Sequence, residues 1–264
     1  MAASRGLRRV GISNHVDPVN ARWDHLKRVR KEIDDAGLRG RVLLGVELNV
    51  NEDPGNPSHS DLFLPAERWV DLDYVNVGEH VFFGGAGGFL AKCVREGDQA
   101  AVEEYFSEKA ALLRDAFTRY PEQAGGNEPA FAVWVHPWLW EVQNGVMLAD
   151  LTYEHTAALA EVLCDGGIAF EVNAFTFREK DLPKKPLLPR GPAAEHRLAV
   201  IRFYVDLVAR LHREFPELRF ATGSDAHRLD EVGELATCAE VLEKAGVQRS
   251  ATVEAALDAS LHPR

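Results

Sequence analysis

Short, almost continuously apolar runs alternate with longer amphipathic ones along the whole chain. The short runs are Arg9–Ser13, Arg41–Asn49, Asp73–Val77, Phe131–Val135, Ile168–Val172 and Leu218–Thr222. They are rich in Val, Ile and Phe, as strands buried on both faces are. Between them, apolar positions recur at three- and four-residue spacing over 21–36, 98–119, 152–165, 193–214 and 229–245, which predicts helices. A closing helix is expected from Arg249 to Leu261, with Ser250 as its N-cap. Strands that alternate with helices predict an α/β domain built on a parallel sheet or barrel. With no repeat, low-complexity tract or linker, residues 1–264 read as one domain. Two connections are long, Asn51 to Glu67 and Phe175 to Pro192, and long connections in compact domains often bind or cover a site.

Composition narrows the classes without choosing among them. The chain is 46% apolar and 27% charged, as ordinary globular proteins are. No run reaches the 18 or so apolar residues of a membrane span, and the N-terminus has no apolar signal core, so a cytoplasmic protein without a membrane partner is expected. Cys93, Cys164 and Cys238 form no CxxC pair, which argues against a disulfide framework or a thiolate zinc site. The net charge of −11 disfavours nucleic acid as a partner. It leaves room for a small anionic substrate, because a bound metal reverses the field inside a pocket.

Histidines and carboxylates collect at one end of the predicted strands. His15 follows the first, Glu47 lies in the second, His80 follows the third and His136 ends the fourth. Glu171 and Asn173 end the fifth, and Asp225 and His227 follow the sixth. In a parallel arrangement the C-terminal strand ends open on one face, so these residues are expected to meet there. Singly, each has a plain structural reading. A lone His caps a turn or faces solvent, Glu47 could pair with an interior base, and Ser224 or Asp225 could cap a helix. Together, imidazole and carboxylate suit Zn, Mn or Fe. His25, His155, His196 and His212 fall in helical patterns and read as surface or packing residues, and His59 and His262 fall in a loop and a tail. The run Gly84–Gly88 lacks a following Gly-Lys-Ser/Thr and is not a P-loop. Trp134, Trp138 and Trp140 flank His136 and suit either a pocket wall or the core. Arg178, Lys180, Lys184 and Lys185 form a basic cluster after the fifth strand, where Arg178 suits a phosphate best by its bidentate fork.

In this order the segments Gly11-Ile-Ser-Asn-His15, Gly45-Val-Glu47, Val135-His-Pro137, Phe170-Glu-Val-Asn173 and Gly223-Ser-Asp-Ala-His227 resemble the polymerase-and-histidinol-phosphatase (PHP) family, most closely its histidinol-phosphatase branch. The resemblance spans the chain. It implies a distorted (βα)7 TIM-like barrel with a trinuclear metal site, from which the first strand is missing. That strand normally carries a His-x-His pair, and no His-x-His occurs in this sequence. A mis-assigned start, a fragment or true loss of the motif would each leave the chain in this form. The gap would expose two strand edges, so low stability as a monomer is expected.

By the same resemblance Glu47 would bridge two metals, with His80 and His136 completing one site, His15 and His227 serving another, and Asp225 joining the third. Two to three Zn, Mn or Fe ions are implied for a complete site. Asn14 stands where the family usually has Asp. Glu171 and Asn173 would stand behind the ligands, Arg178 would orient the ester, and Asp225 or His227 would assist the leaving group. The expected function is hydrolysis of a small phosphate monoester, with L-histidinol phosphate, a histidine-biosynthesis metabolite, as leading candidate. A nucleotide or nucleic-acid end is the alternative substrate. A degenerate, non-catalytic binding domain is the alternative class, favoured by the absent His-x-His. Oligomeric state is not legible.

Overall fold

The computed structural model describes residues 7–15, 23–49, 72–78, 92–124, 131–138, 141, 151–178, 193–228 and 230–261. Each of the six apolar runs forms a strand: Val10–Ile12 (β1), Val42–Asn49 (β2), Tyr74–Gly78 (β3), Ala132–Trp134 (β4), Ile168–Asn173 (β5) and Phe220–Gly223 (β6). They form one sheet in chain order, β1-β2-β3-β4-β5-β6, with every neighbouring pair parallel. Helices stand between them: Trp23–Asp35 (α1), Gln99–Ala124 (α2), Tyr153–Gly166 (α3), Ala193–Glu214 (α4), Ala236–Lys244 (α5) and Val253–Leu261 (α6). Among the described residues no helix is long and apolar enough to cross a membrane.

The period of the apolar positions explains both layers. Leu44, Val46 and Leu48 of β2, Val75 and Val77 of β3, and Phe170 and Val172 of β5 share a buried cluster with the helices. The helices contribute stripes to it: Leu26 and Ile33 of α1, Leu159 and Leu163 of α3, and Val200, Tyr204, Leu207 and Leu211 of α4. Truncating one of these fully buried leucines to Ala would cost about 2–5 kcal/mol. Helix α3 is capped at both ends. Thr152 accepts the His155 N–H at 3.4 Å, and Gly167 takes a left-handed φ of 65° at the C-terminal end.

The alternate strand positions form a second, smaller apolar layer on the inner face. It consists of Leu43, Tyr74, Val133, Val135 and Ala169, covered by Val253 and Leu257 of α6. Tyr74 can lie across this face because two neighbouring inner positions are glycines. A Cβ on Gly45 would stand 2.5 Å from the Tyr74 ring, and one on Gly11 2.8 Å from its hydroxyl.

The sheet is open. The expectation of a (βα)7 barrel lacking one strand is corrected to a six-stranded half-barrel, whose end strands β1 and β6 share no ladder. The free edge of β6 is met at Phe220 by a bridge from Thr252, just before α6. Asp258 of α6 then reaches Arg9, next to β1, at 2.6 Å. A helix and an ion pair therefore connect the two edges where strand pairing would close a barrel.

Two local expectations also change. Helix α6 starts at Val253 and Ser250 sits in a 3-10 turn over Arg249–Ala251, so Ser250 is not its N-cap. No helix opens at Ser224 or Asp225, and α5 begins only at Ala236.

Candidate functional site

The inner face changes from apolar to polar along the strands. Beyond the layer of Tyr74 and Val133, the inward positions are Ser13, Glu47, Asn76, Glu171 and Asn173, towards the C-terminal strand ends. Register places them: Glu47 lies beside Asn76, and Glu171 beside Ala221. Past β1 the backbone stays on the ladder, because Asn14 O accepts the Glu47 N–H at 3.0 Å and His15 bridges to Glu47. The sheet itself thus carries His15 to Glu47.

Glu47 Oε1 lies 3.0 Å from His136 Nε2 and 4.0 Å from His15 Nε2. His136 is buried and His15 is half exposed, so the carboxylate lies between an inner and an outer imidazole. His136 owes its position to an unusual backbone: its φ is 36°, and Trp138, two residues on, has φ 69°. Pro137 between them disfavours the right-handed helical region for the residue before it. The turn swings the imidazole back over β2.

Glu171 fixes that turn from below. Its Oε2 accepts the His136 N–H at 2.6 Å and the Asn173 side-chain amide at 2.8 Å. Asn173 in turn accepts the Phe175 N–H at 2.8 Å, which starts the 3-10 turn Ala174–Phe177. Burial raises the Glu171 pKa above the usual carboxylate value, against the pull of these donors. Burial opposes the charged form of His136, but the hydrogen bond and charge of Glu47 outweigh it, with Glu171 and Asp225 adding to the effect. Its pKa is therefore raised.

The loop after β6 brings Asp225 within range of the His136 charge. Asp225 has a φ of 43°, and His227 Nδ1 lies 3.1 Å from the Asp225 carbonyl and 3.7 Å from its carboxylate. The His227 side chain is 76% exposed. Arg178 ties this loop down: its guanidinium donates to the carbonyl of Ser224 and, at 3.4 Å, to that of Asp225. It also pairs with Glu231 at 3.6 Å and Glu234 at 3.5 Å. Glu231 accepts the His227 N–H at 3.1 Å.

No family model matches this chain, and no curated protein is significantly similar to it.

Of the site residues expected from sequence, the structure brings His15, Glu47 and His136 together, with Glu171 and Asn173 beneath His136 and with Asp225 close enough to act on its charge. His227 stands further out on the same loop as Asp225. His80, Lys180, Lys184, Lys185, Trp140 and the glycine run 84–88 lie outside the described residues. Among the described residues no three His, Cys, Asp or Glu side chains converge closely enough to hold an ion as they stand. The donor chemistry nevertheless fits one. Two ligands each about 2.1 Å from a shared ion lie roughly 3.0 Å apart at an octahedral angle and about 3.4 Å at a tetrahedral one, and Glu47 and His136 stand at the lower end, 3.0 Å apart.

Sequence reasoning missed the support. Ser13 accepts from Asn76 at 3.1 Å and bonds the Tyr74 hydroxyl. Glu231 and Glu234 hold Arg178. The readable signal was glycine at inward strand positions 11, 45 and 223, where a parallel strand would normally carry a side chain.

Proposed function

We propose that this chain is a metal-dependent hydrolase of small phosphate monoesters, as its motif order resembles the PHP family, with L-histidinol phosphate as first candidate. The observation that carries the reading is Glu47 set between His136 at 3.0 Å and His15 at 4.0 Å, at the C-terminal edge of a parallel sheet. Glu47, His136 and His15 would hold the cation, with Asp225 of the β6 loop near enough to act on the His136 charge. When bound, such a cation lowers the pKa of a coordinated water and neutralises phosphoryl oxygens. The remaining work falls to the chain. Glu171 and Asn173 hold His136 in its turn, so that Nε2 points at Glu47. Arg178 and Glu231 hold the Asp225–His227 loop. In this reading Asp225 or the exposed His227 would give a proton to the departing alkoxide.

The test is metal content of the protein purified without chelator, together with hydrolysis of phosphomonoesters that include L-histidinol phosphate. Bound Mn, Fe or Zn and turnover, both lost in His136→Ala with the fold retained, are expected. Turnover equal to wild type in His136→Ala would remove the assignment. Metal without turnover would favour the non-catalytic class.

A further inference from the structure

Beneath the His136 turn, on the helix side of the sheet, lies a charged group that the proposed chemistry does not use. Lys109 of α2 and Glu141 are both fully buried and paired through Nζ and Oε1. Tyr105, one helical turn earlier on α2, donates its hydroxyl to the same Glu141 oxygen at 3.0 Å. The Lys109 ammonium also faces two indoles, 5.0 Å from the centre of the Trp138 ring and 5.6 Å from that of Trp134. Lys109 therefore contacts both Trp138, at its ring, and Glu141, at its carboxylate. Phe106, the next residue on α2, packs edge-on against Trp138 with ring centroids 5.9 Å apart.

Burying an ion pair is a poor way to gain stability, because apolar residues of similar volume usually do as well or better. A buried pair at a strained turn points to a different role. His136 and Trp138 both hold left-handed backbone, which non-glycine residues keep only where their surroundings impose it. Trp138 is 1% exposed, and its ring is clamped among Trp134, Phe106 and Lys109. The clamp acts on the far end of the turn, and the Glu171 carboxylate acts on the near end through the His136 N–H.

We propose that the Lys109–Glu141–Trp138 cluster is a positioning device that imposes the left-handed His136–Trp138 turn and so sets His136 Nε2 against Glu47. It acts through the backbone and touches neither substrate nor the reacting atoms. The inference rests on the reading of His136 as a site residue, but its test does not depend on activity.

The deciding variant is Lys109→Met/Glu141→Leu in the full chain, which replaces both charges with apolar groups of similar size. Backbone amide exchange, read by NMR, should show the β5 amides of Ile168–Val172 still protected. The His136 amide, now free to leave Glu171, should exchange at least tenfold faster than in wild type. In an active protein kcat should fall with little change in KM. A His136 amide as protected as in wild type would reduce the cluster to a packing element and overturn the proposal. Glu141→Gln, which keeps the shape and removes one charge, gives the same readout if the double variant does not fold. A wild type that hydrolyses no phosphomonoester would sink the functional reading, while the exchange data would still decide the clamp.

Discussion

The carboxylate of Glu171 fills the space that a side chain on Gly223 would take: a Cβ there would stand 1.6 Å from Glu171 Oε1. The obstacle is the working end of a buried group, not the free tip of an exposed chain. Gly223→Ala should therefore push Glu171 away from the His136 N–H and Asn173. Overpacking of this kind costs about 1–3 kcal/mol. We expect a lower urea midpoint and, in an active protein, at least tenfold lower kcat. A variant with wild-type midpoint and kcat would show that Glu171 can move aside freely.

The metal-free protein should lose stability as pH rises through neutrality. The His136 pKa is raised above its ordinary 6.5, Glu47 overcoming the effect of burial. The folded state thus binds this proton more tightly than the unfolded state does. That contribution is fully present below 6.5 and is lost as pH climbs through the higher folded value. Glu171, raised by burial, has the same sign, starting above its ordinary 4.5. Urea midpoints measured on either side of pH 6.5 should fall towards the alkaline side, and Glu47→Gln should flatten the slope. Midpoints that rise with pH would contradict the Glu47–His136 pairing.

How much of this was legible follows from which signals are local. The apolar period located all six strands, and helix α4 falls on its predicted 193–214. The positions of His15, Glu47 and His136 at strand ends were legible because parallel strands share one direction. Closure was not legible, because it depends on what meets the sheet edges, and here α6 meets the β1 side through pairings some 250 residues apart in sequence. Nor was the His136 turn. Its φ is 36°, and the groups packed on the turn, Glu171 on the His136 N–H and Lys109 and Phe106 of α2 on the Trp138 ring, lie far from it in sequence. Arg178 shows the same limit. Its charge suggested a phosphate, while its contacts are with Ser224, Asp225, Glu231 and Glu234.

Those contacts set the expectation for Arg178→Ala. The side chain is 8% exposed, and its donors are directed at loop carbonyls and carboxylates. Its removal frees the Asp225–His227 loop and leaves Glu231 without that partner. In an active protein kcat should drop tenfold or more with KM nearly kept, and Arg178→Lys should rescue little, lacking the fork that spans two carbonyls. A raised KM with kcat intact would return Arg178 to the phosphate site.

The joint between the sheet edges gives the last expectation. Asp258 accepts from Arg9 at 2.6 Å, from Arg8 at 3.2 Å and from Arg249 at 2.8 Å. The hydrogen bond from Arg9 and the charges of Arg8 and Arg9 hold its pKa below 3.8. A depressed pKa gives stability that is present above that value and lost as pH falls through the folded one. The pairs are largely solvated, so the global midpoint of Asp258→Asn should stay near wild type. The local effect should be larger, because β1 is three residues long with one free edge, and Ile12 is 39% exposed. Amide exchange over Val10–Ile12 should speed up while β2 to β5 stay protected. Unchanged β1 amides would mean that the ladder to β2 alone holds the edge, and that α6 contributes only its apolar cover, Val253 and Leu257, to the inner face.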